Sequence, residues 1–356
     1  MQTSKYRIQM NQHIVSQRQP AVTRNREKGT NGRILSIAMA ALLCMSNGLL
    51  GQSTDRILLE KGRMRLELYR PDSSENYRGT RFDHSGMFHS ISFQGKSLCQ
   101  RWHTGKPNPD ANDDVTGPCE EFGNSQPLGY EKDKPGSIFL KIGVGLMIQP
   151  EEKEYKFMTP YKFASKGKWY TTTTSTSCSF EQTLMHNERP SPLGYRYVKT
   201  IEVQDDGFTI HHQLTNLGNE ELVTDHYNHN FFLLDGELVG SDYELVLNYK
   251  IQPEQIMSAF RDLVSVDGQS LKMKDRIGNQ SYFARLDGHQ NKVEDHRFVL
   301  RNRKSGLQIE CVGDRELHKF NFWGLQNTIC PEPYVLLSIP KNKTIEWNLA
   351  YRVSQK

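Results

Sequence analysis

Apolar and polar residues alternate with a period of two along much of the chain beyond residue 55, which is the mark of half-buried β-strands. In residues 63–69, Arg63, Arg65 and Glu67 alternate with Met64, Leu66 and Leu68. Similar short runs occupy 138–146, 195–203, 208–214, 243–249, 297–302, 307–312 and 344–353. Between them stand Asp205-Asp206-Gly207, Asn216-Leu217-Gly218 and Lys304-Ser305-Gly306, polar and glycine clusters of the kind that turn a chain. A helical pattern is confined to 253–263, and the polar run 171–177 reads as strand or loop without chemistry of its own. Many short strands with turns between them predict an all-β fold, a large antiparallel β-sandwich. No Pro- or Ser-rich linker divides residues 52–356, so one domain is expected there.

The N-terminal part breaks this pattern. Residues 1–33 are polar, aperiodic and expected to be disordered. Residues 34–51 follow as an apolar stretch interrupted at Ser46-Asn47-Gly48. A basic segment, a short apolar run and small residues form the pattern of a secretory signal peptide. An N-terminal membrane anchor is the alternative, and either implies a periplasmic or extracellular protein. Seven Lys or Arg against Glu27 give residues 1–33 a charge of +6, more than the +4 of the whole chain, which leaves −2 for the rest. The folded part is therefore not built to bind nucleic acid. With 36% hydrophobic, 24% charged and 10% aromatic residues the composition is globular. Cys99, Cys119, Cys178, Cys311 and Cys330 show no Cys-x-x-Cys spacing, so they predict no zinc site.

Candidate chemistry centres on Thr224-Asp225-His226-Tyr227-Asn228-His229-Asn230-Phe231-Phe232, which sets imidazoles beside aromatic rings at the end of a β-element. Sugar sites combine such features: ring faces pack on the pyranose while a polar group reaches its oxygens. On an extended strand His229 and Phe231 share one face, and His226, Asn228 and Asn230 share the other. His226 then points away from His229, which argues against a metal site made of those two. Glu332 stands between Pro331 and Pro333, which hold it in extended geometry. A stiffly held carboxylate suits catalysis; a surface turn is the plainer reading. Arg81 and Asp83 share a face if their block is extended, with Arg78 nearby, and an Arg fork suits hydroxyls or a uronate. A salt-bridged turn is the alternative. Glu120 and Glu121 read as a second carboxylate or as two solvated loop charges. Lys141, a charge in an apolar strand, reaches a substrate oxygen or snorkels. At most one of Trp102, Trp169 and Trp323 is expected at the cleft. His84 and His103 are candidates for a second histidine.

These features together resemble the galactose mutarotase (aldose 1-epimerase) superfamily. Gly86 to Lys96 resembles its opening Gly-x-x-x-Ser-Ile strand, and His229-Asn230-Phe231-Phe232 resembles its His-x-Tyr-Phe strand. Thr328-Ile329-Cys330-Pro331-Glu332-Pro333 sits where the family carries a late catalytic Glu, and 344–351 resembles the closing strand. The blocks at 78–83 and 117–123 depart from the standard pattern and suggest a separate exported branch, with the substrate left open. The resemblance implies a supersandwich and cofactor-independent opening of a sugar hemiacetal. Glu332 would be base and His229 acid, with Arg81, Asp83, Phe231, Glu121 and Lys141 on the substrate. It implies a monomer acting on a mono- or oligosaccharide, with no metal. A carbohydrate-binding protein of the same fold without catalysis, or an accessory to polysaccharide degradation, is the alternative. Gly-x-Gly-x-x-Gly, P-loop, Gly-x-Ser-x-Gly and His-Glu-x-x-His signatures are missing.

Overall fold

Period-two alternation is realised as two large antiparallel sheets packed face to face. The computed structural model describes residues 55–356 except 132–133, 153, 253–255, 257 and 279. The basic segment and the apolar stretch of 34–51 lie outside the described residues. The described residues fall within one compact unit.

The larger sheet has ten strands. Its centre is the long set Ser177–His186, Leu193–Gln204, Gly207–Asn216 and Thr344–Gln355, extended on the far side by Leu307–Gly313 and Arg297–Asn302. The smaller sheet has five strands, in the order Tyr282–Arg285, Lys319–Leu325, Thr328–Ile339, Leu222–His229 and Cys119–Phe122. Alternation decides which side chains meet between them: Phe208, Ile210, His212 and Leu214 are buried along one strand while Thr209, His211, Gln213 and Thr215 between them are not. Phe122, Val335 and Leu337 of the smaller sheet join Tyr195, Tyr197, Leu214 and Trp347 of the larger one in a single core. Burying an aromatic or aliphatic side chain of this size stabilises by about 1.5–3 kcal/mol. A four-stranded sheet from Arg56–Lys61 to Lys96–Ser97 packs Leu59, Leu66 and Ile91 on the same body.

Two expectations are corrected. The alternating run at 138–146 is a hairpin, Ile138–Lys141 and Gly145–Ile148, rather than one strand. Gly143 makes the turn at φ +75°, and a Cβ there would lie 2.5 Å from the Asp83 carboxylate, so only glycine fits. The short helix expected within 253–263 is present as Ser258–Arg261. Glu120 and Glu121 belong to a fully buried strand, Cys119–Phe122, and are not solvated loop charges. All five cysteines of the described part are free and buried. No helix among the described residues is long and apolar enough to cross a membrane.

Candidate active site

The five-stranded sheet builds the site where its ladder breaks. Leu222–His229 pairs with Thr328–Ile339 as far as Tyr227 opposite Tyr334. Beyond that the strands part, to meet again at Phe232 and Ile329. Prolines explain the gap. Pro331 and Pro333 have no N–H to offer the neighbouring strand, and the Pro331 carbonyl instead accepts a bond from the Asn230 side chain. Phe231 takes φ +41°, a conformation uncommon for any residue but glycine. Side chains rather than backbone bonds span the opening.

His229 Nε2 and Glu332 Oε1 lie 3.1 Å apart across it, both almost wholly buried. The His229 ring stacks on Phe231 at 3.9 Å between centroids and meets Trp323 edge-on at 5.4 Å. Phe82 lies edge-on to it as well, at 5.9 Å. His229 Nδ1 is buried without a partner. Burial, opposed by Arg81 and assisted by Glu121, pushes the Glu332 carboxyl up to about 8. Burial and the Arg81 charge hold His229 well below the usual imidazole range. Both shifts favour the uncharged forms, the arrangement in which the proton of the pair rests on Glu332.

Arg81 stands beside this pair, and its neighbours fix it. Its Nε is 3.0 Å from Glu121 Oε2, and its Nη2 donates to the Tyr227 hydroxyl at 3.0 Å. Tyr227 in turn donates to the same carboxylate oxygen at 2.7 Å. Lys141 Nζ binds the other oxygen of Glu121 at 2.7 Å and the Tyr155 hydroxyl at 2.8 Å. Among the described residues no oxygen partners Nη1, which touches Met158 Sδ at 3.3 Å, under the exposed Phe157. Tyr334 stacks on Tyr227, and Lys319 Nζ lies 3.8 Å over the Tyr334 ring.

The structure thus brings Glu332, His229, Phe231, Arg81, Glu121 and Lys141 to one face of the small sheet. Glu121 and Lys141 stand behind Arg81 as its support, and Lys141 is buried rather than snorkelling. Asp83 does not join them. Its carboxylate binds Lys199 at 2.7 Å and Ser85, in the layer between the sheets. Arg78 makes the surface salt bridge, to Asp110. Neither candidate for a second histidine reaches the pair: His84 binds the Gly79 carbonyl, and His103 faces Asp113. Two tryptophans rather than one reach the site, since Trp102 lies parallel to Phe231 at 6.3 Å and meets Trp323 at 5.5 Å. Tyr227, Tyr334 and Lys319 were not singled out by sequence. Parity was the available signal: Tyr227 is two before His229, and Tyr334 two after Glu332.

His226 faces away from His229, as the strand geometry requires. It lies instead with His212, Trp347 and Glu120 on the inner side of the sheet. Two other clefts, of about 640 Å³ beside Tyr249 and Lys292 and about 460 Å³ beside Arg56 and Thr173, are not lined by any histidine. Their size does not make them stronger candidates, because acid–base chemistry needs paired proton carriers within hydrogen-bond reach.

Solved structures similar to this chain carry the same architecture. A galactose mutarotase related enzyme from Lactobacillus acidophilus is 13% identical, with a TM-score of 0.52 over 84% of this chain and 97% of that one. A GalM/aldose epimerase homologue from C. elegans is 12% identical, with a TM-score of 0.53 over 84% and 98%. A galactose mutarotase-like protein from Clostridium acetobutylicum is 12% identical, with a TM-score of 0.51 over 85% and 95%. No family model and no curated protein matches the chain. The fold is galactose mutarotase-like; identities this low speak to fold alone.

Proposed function

We propose that this chain is an exported, cofactor-independent isomerase of the aldose 1-epimerase type, acting on the hemiacetal of a mono- or oligosaccharide. The observation that carries this reading is the buried His229–Glu332 pair, 3.1 Å apart and walled by Phe231, Phe82 and Trp323. Ring opening needs one group to take the proton of the anomeric hydroxyl and another to protonate the ring oxygen. The pair supplies both with a single proton. An anomeric hydroxyl donating to Glu332 favours moving the carboxyl proton onto His229, making Glu332 the base and His229 the acid. The hydroxyl proton then passes to Glu332 as its O–H bond breaks. The electrons form the C1 carbonyl, the bond from C1 to the ring oxygen breaks, and that oxygen takes the proton of His229. Rotation about C1–C2 and the reverse steps close the ring with the other anomer. Arg81 offers Nη1 to a sugar oxygen, while Glu121, Tyr227 and Lys141 keep its plane fixed. The export part of this reading rests on the basic and apolar segments of 1–51.

Accelerated anomer exchange, followed by NMR on the purified chain with a panel of aldoses and uronic acids, supports the proposal. Exchange at the buffer rate with every sugar contradicts it. A second reading, a carbohydrate-binding protein without turnover, is favoured by one observation: neither His84 nor His103 reaches the pair. It predicts saturable sugar binding with no acceleration.

A further inference from the structure

A second histidine–carboxylate cluster lies between the two sheets, on the opposite side of the small sheet from the candidate active site. Glu120 and His226 come from adjacent strands of the small sheet, and His212 from the centre of the large one. One ligand atom from each of Glu120, His212 and His226 lies within 4.8 Å of the other two, and all three residues are at most 1% exposed. Glu120 Oε1 is 2.8 Å from His212 Nε2 and 3.8 Å from His226 Nε2.

Three features set this cluster apart from an ordinary polar core. His226 Nε2 is buried and has no hydrogen-bond partner, although it is aimed at the carboxylate; an orphaned buried polar atom calls for an explanation. His212 Nδ1 faces the Trp347 carbonyl at 3.2 Å. A carbonyl only accepts, so a hydrogen sits on Nδ1 and His212 turns Nε2 toward Glu120 Oε1. The space between that nitrogen and the carboxylate takes a positive centre, either a second proton or a metal ion. Lastly, an imidazole that donates one N–H to a backbone carbonyl while the other nitrogen faces inward has the supporting contact typical of metal-binding histidines.

We propose that Glu120, His212 and His226 bind a zinc ion that ties the two sheets together. Two imidazoles and one carboxylate form a donor set that zinc accepts, at about 2.0–2.2 Å from each ligand atom. Reaching those distances asks the Glu120–His212 contact to open by about half an ångström. Lys199 keeps its place: its Nζ binds the second oxygen, Glu120 Oε2, at 2.6 Å, and is also held by Asp83 and the Ser85 carbonyl. The Asn228 amide, 2.9 Å from Glu120 Oε1, is the remaining contact to be shared. The ion joins no proton-transfer step; its role is structural.

The test uses the untagged full-length chain, stripped with a chelator and titrated with zinc sulfate and, separately, cobalt chloride. Uptake should saturate at one ion per chain, and cobalt should give the strong visible absorption of a four-coordinate site. Zinc should raise the melting temperature. His226→Gln and His212→Gln should each weaken binding by more than the ~10–100-fold cost of losing an outer-shell partner. The proposal is overturned by the absence of one-to-one uptake, by the pale spectrum of a six-coordinate surface ion, or by unchanged affinity in His226→Gln. Should a variant fail to fold, stoichiometry and cobalt spectrum of the unaltered chain decide alone.

Discussion

Two carboxylates of the small sheet, on the strands that flank Leu222–His229, meet opposite fates. Glu120 and Glu332 are both buried, yet Glu120 faces the large sheet and Glu332 faces away from it. Burial works against Glu120, but His212 and Lys199 outweigh it and hold the carboxyl well below its usual range. Among the described residues no Lys or Arg lies within ion-pairing distance of Glu332, and burial drives it up to about 8. The difference shows how one sheet hosts two chemistries. Residue parity sends alternate side chains to opposite faces, and the partners waiting there decide whether a carboxyl stays charged. The inner face is consistent with holding the sandwich together, and the outer with handling a proton.

Breaking the inner network gives the largest expected effect on folding. Lys199→Met leaves Asp83 and Glu120 buried without their shared cation, and a loss of about 3–5 kcal/mol is expected. Urea denaturation measures it; a loss under about 1 kcal/mol would mean water already reaches the network. Next comes Arg81→Lys on the outer face, which cannot span Glu121, Tyr227 and a substrate oxygen together. Loss of one charged hydrogen bond lowers kcat/KM about 10–100-fold, with stability changing far less. An unchanged kcat/KM would remove Arg81 from the site.

The outer pair also predicts a pH dependence of stability. Glu332 is raised in the folded state, so native molecules hold that proton more firmly than unfolded ones up to about pH 8. Stability from this group falls as pH rises through that window. His229 is lowered, so its contribution is lost as pH falls below the unfolded imidazole value near 6.5. Below that value the two trends oppose each other, and above it only Glu332 acts. A decline of about 2 kcal/mol between pH 6.5 and 8 is expected, and Glu332→Gln should remove it. An identical slope in the variant would show that the proton lies elsewhere. The smallest effect belongs to Phe157→Ala. This exposed ring covers the Arg81 guanidinium at 4.6 Å, and its removal should cost about 0.5–1 kcal/mol of the cation–π contact, read as a slightly raised KM.

Much of the fold was legible from alternation, because a half-buried strand must alternate. Leu193–Gln204, Gly207–Asn216 and Thr344–Gln355 follow from it. Thr328–Ile339 did not, because its buried residues run consecutively and two prolines interrupt it. Such a strand survives only because its ladder opens at the prolines. Within the site, His229 and Phe231 were legible by parity and the stiffness of Glu332 by its flanking prolines. The separation of Asp83 from Arg81 was not, because the block from Gly79 to Asp83 forms no strand. Its side chains therefore need not follow strand alternation. Nor was the meeting of His212 with His226, which depends on how two sheets face each other and leaves no local pattern.

The most direct test of the central claim is NMR anomer exchange by the unaltered chain and by Glu332→Gln, side by side on the same sugar. The account predicts acceleration by the former and a loss of about 10²–10⁴-fold in the latter, with fold and sugar affinity kept. Full exchange in Glu332→Gln, or no acceleration by the unaltered chain with any aldose or uronic acid, would contradict it.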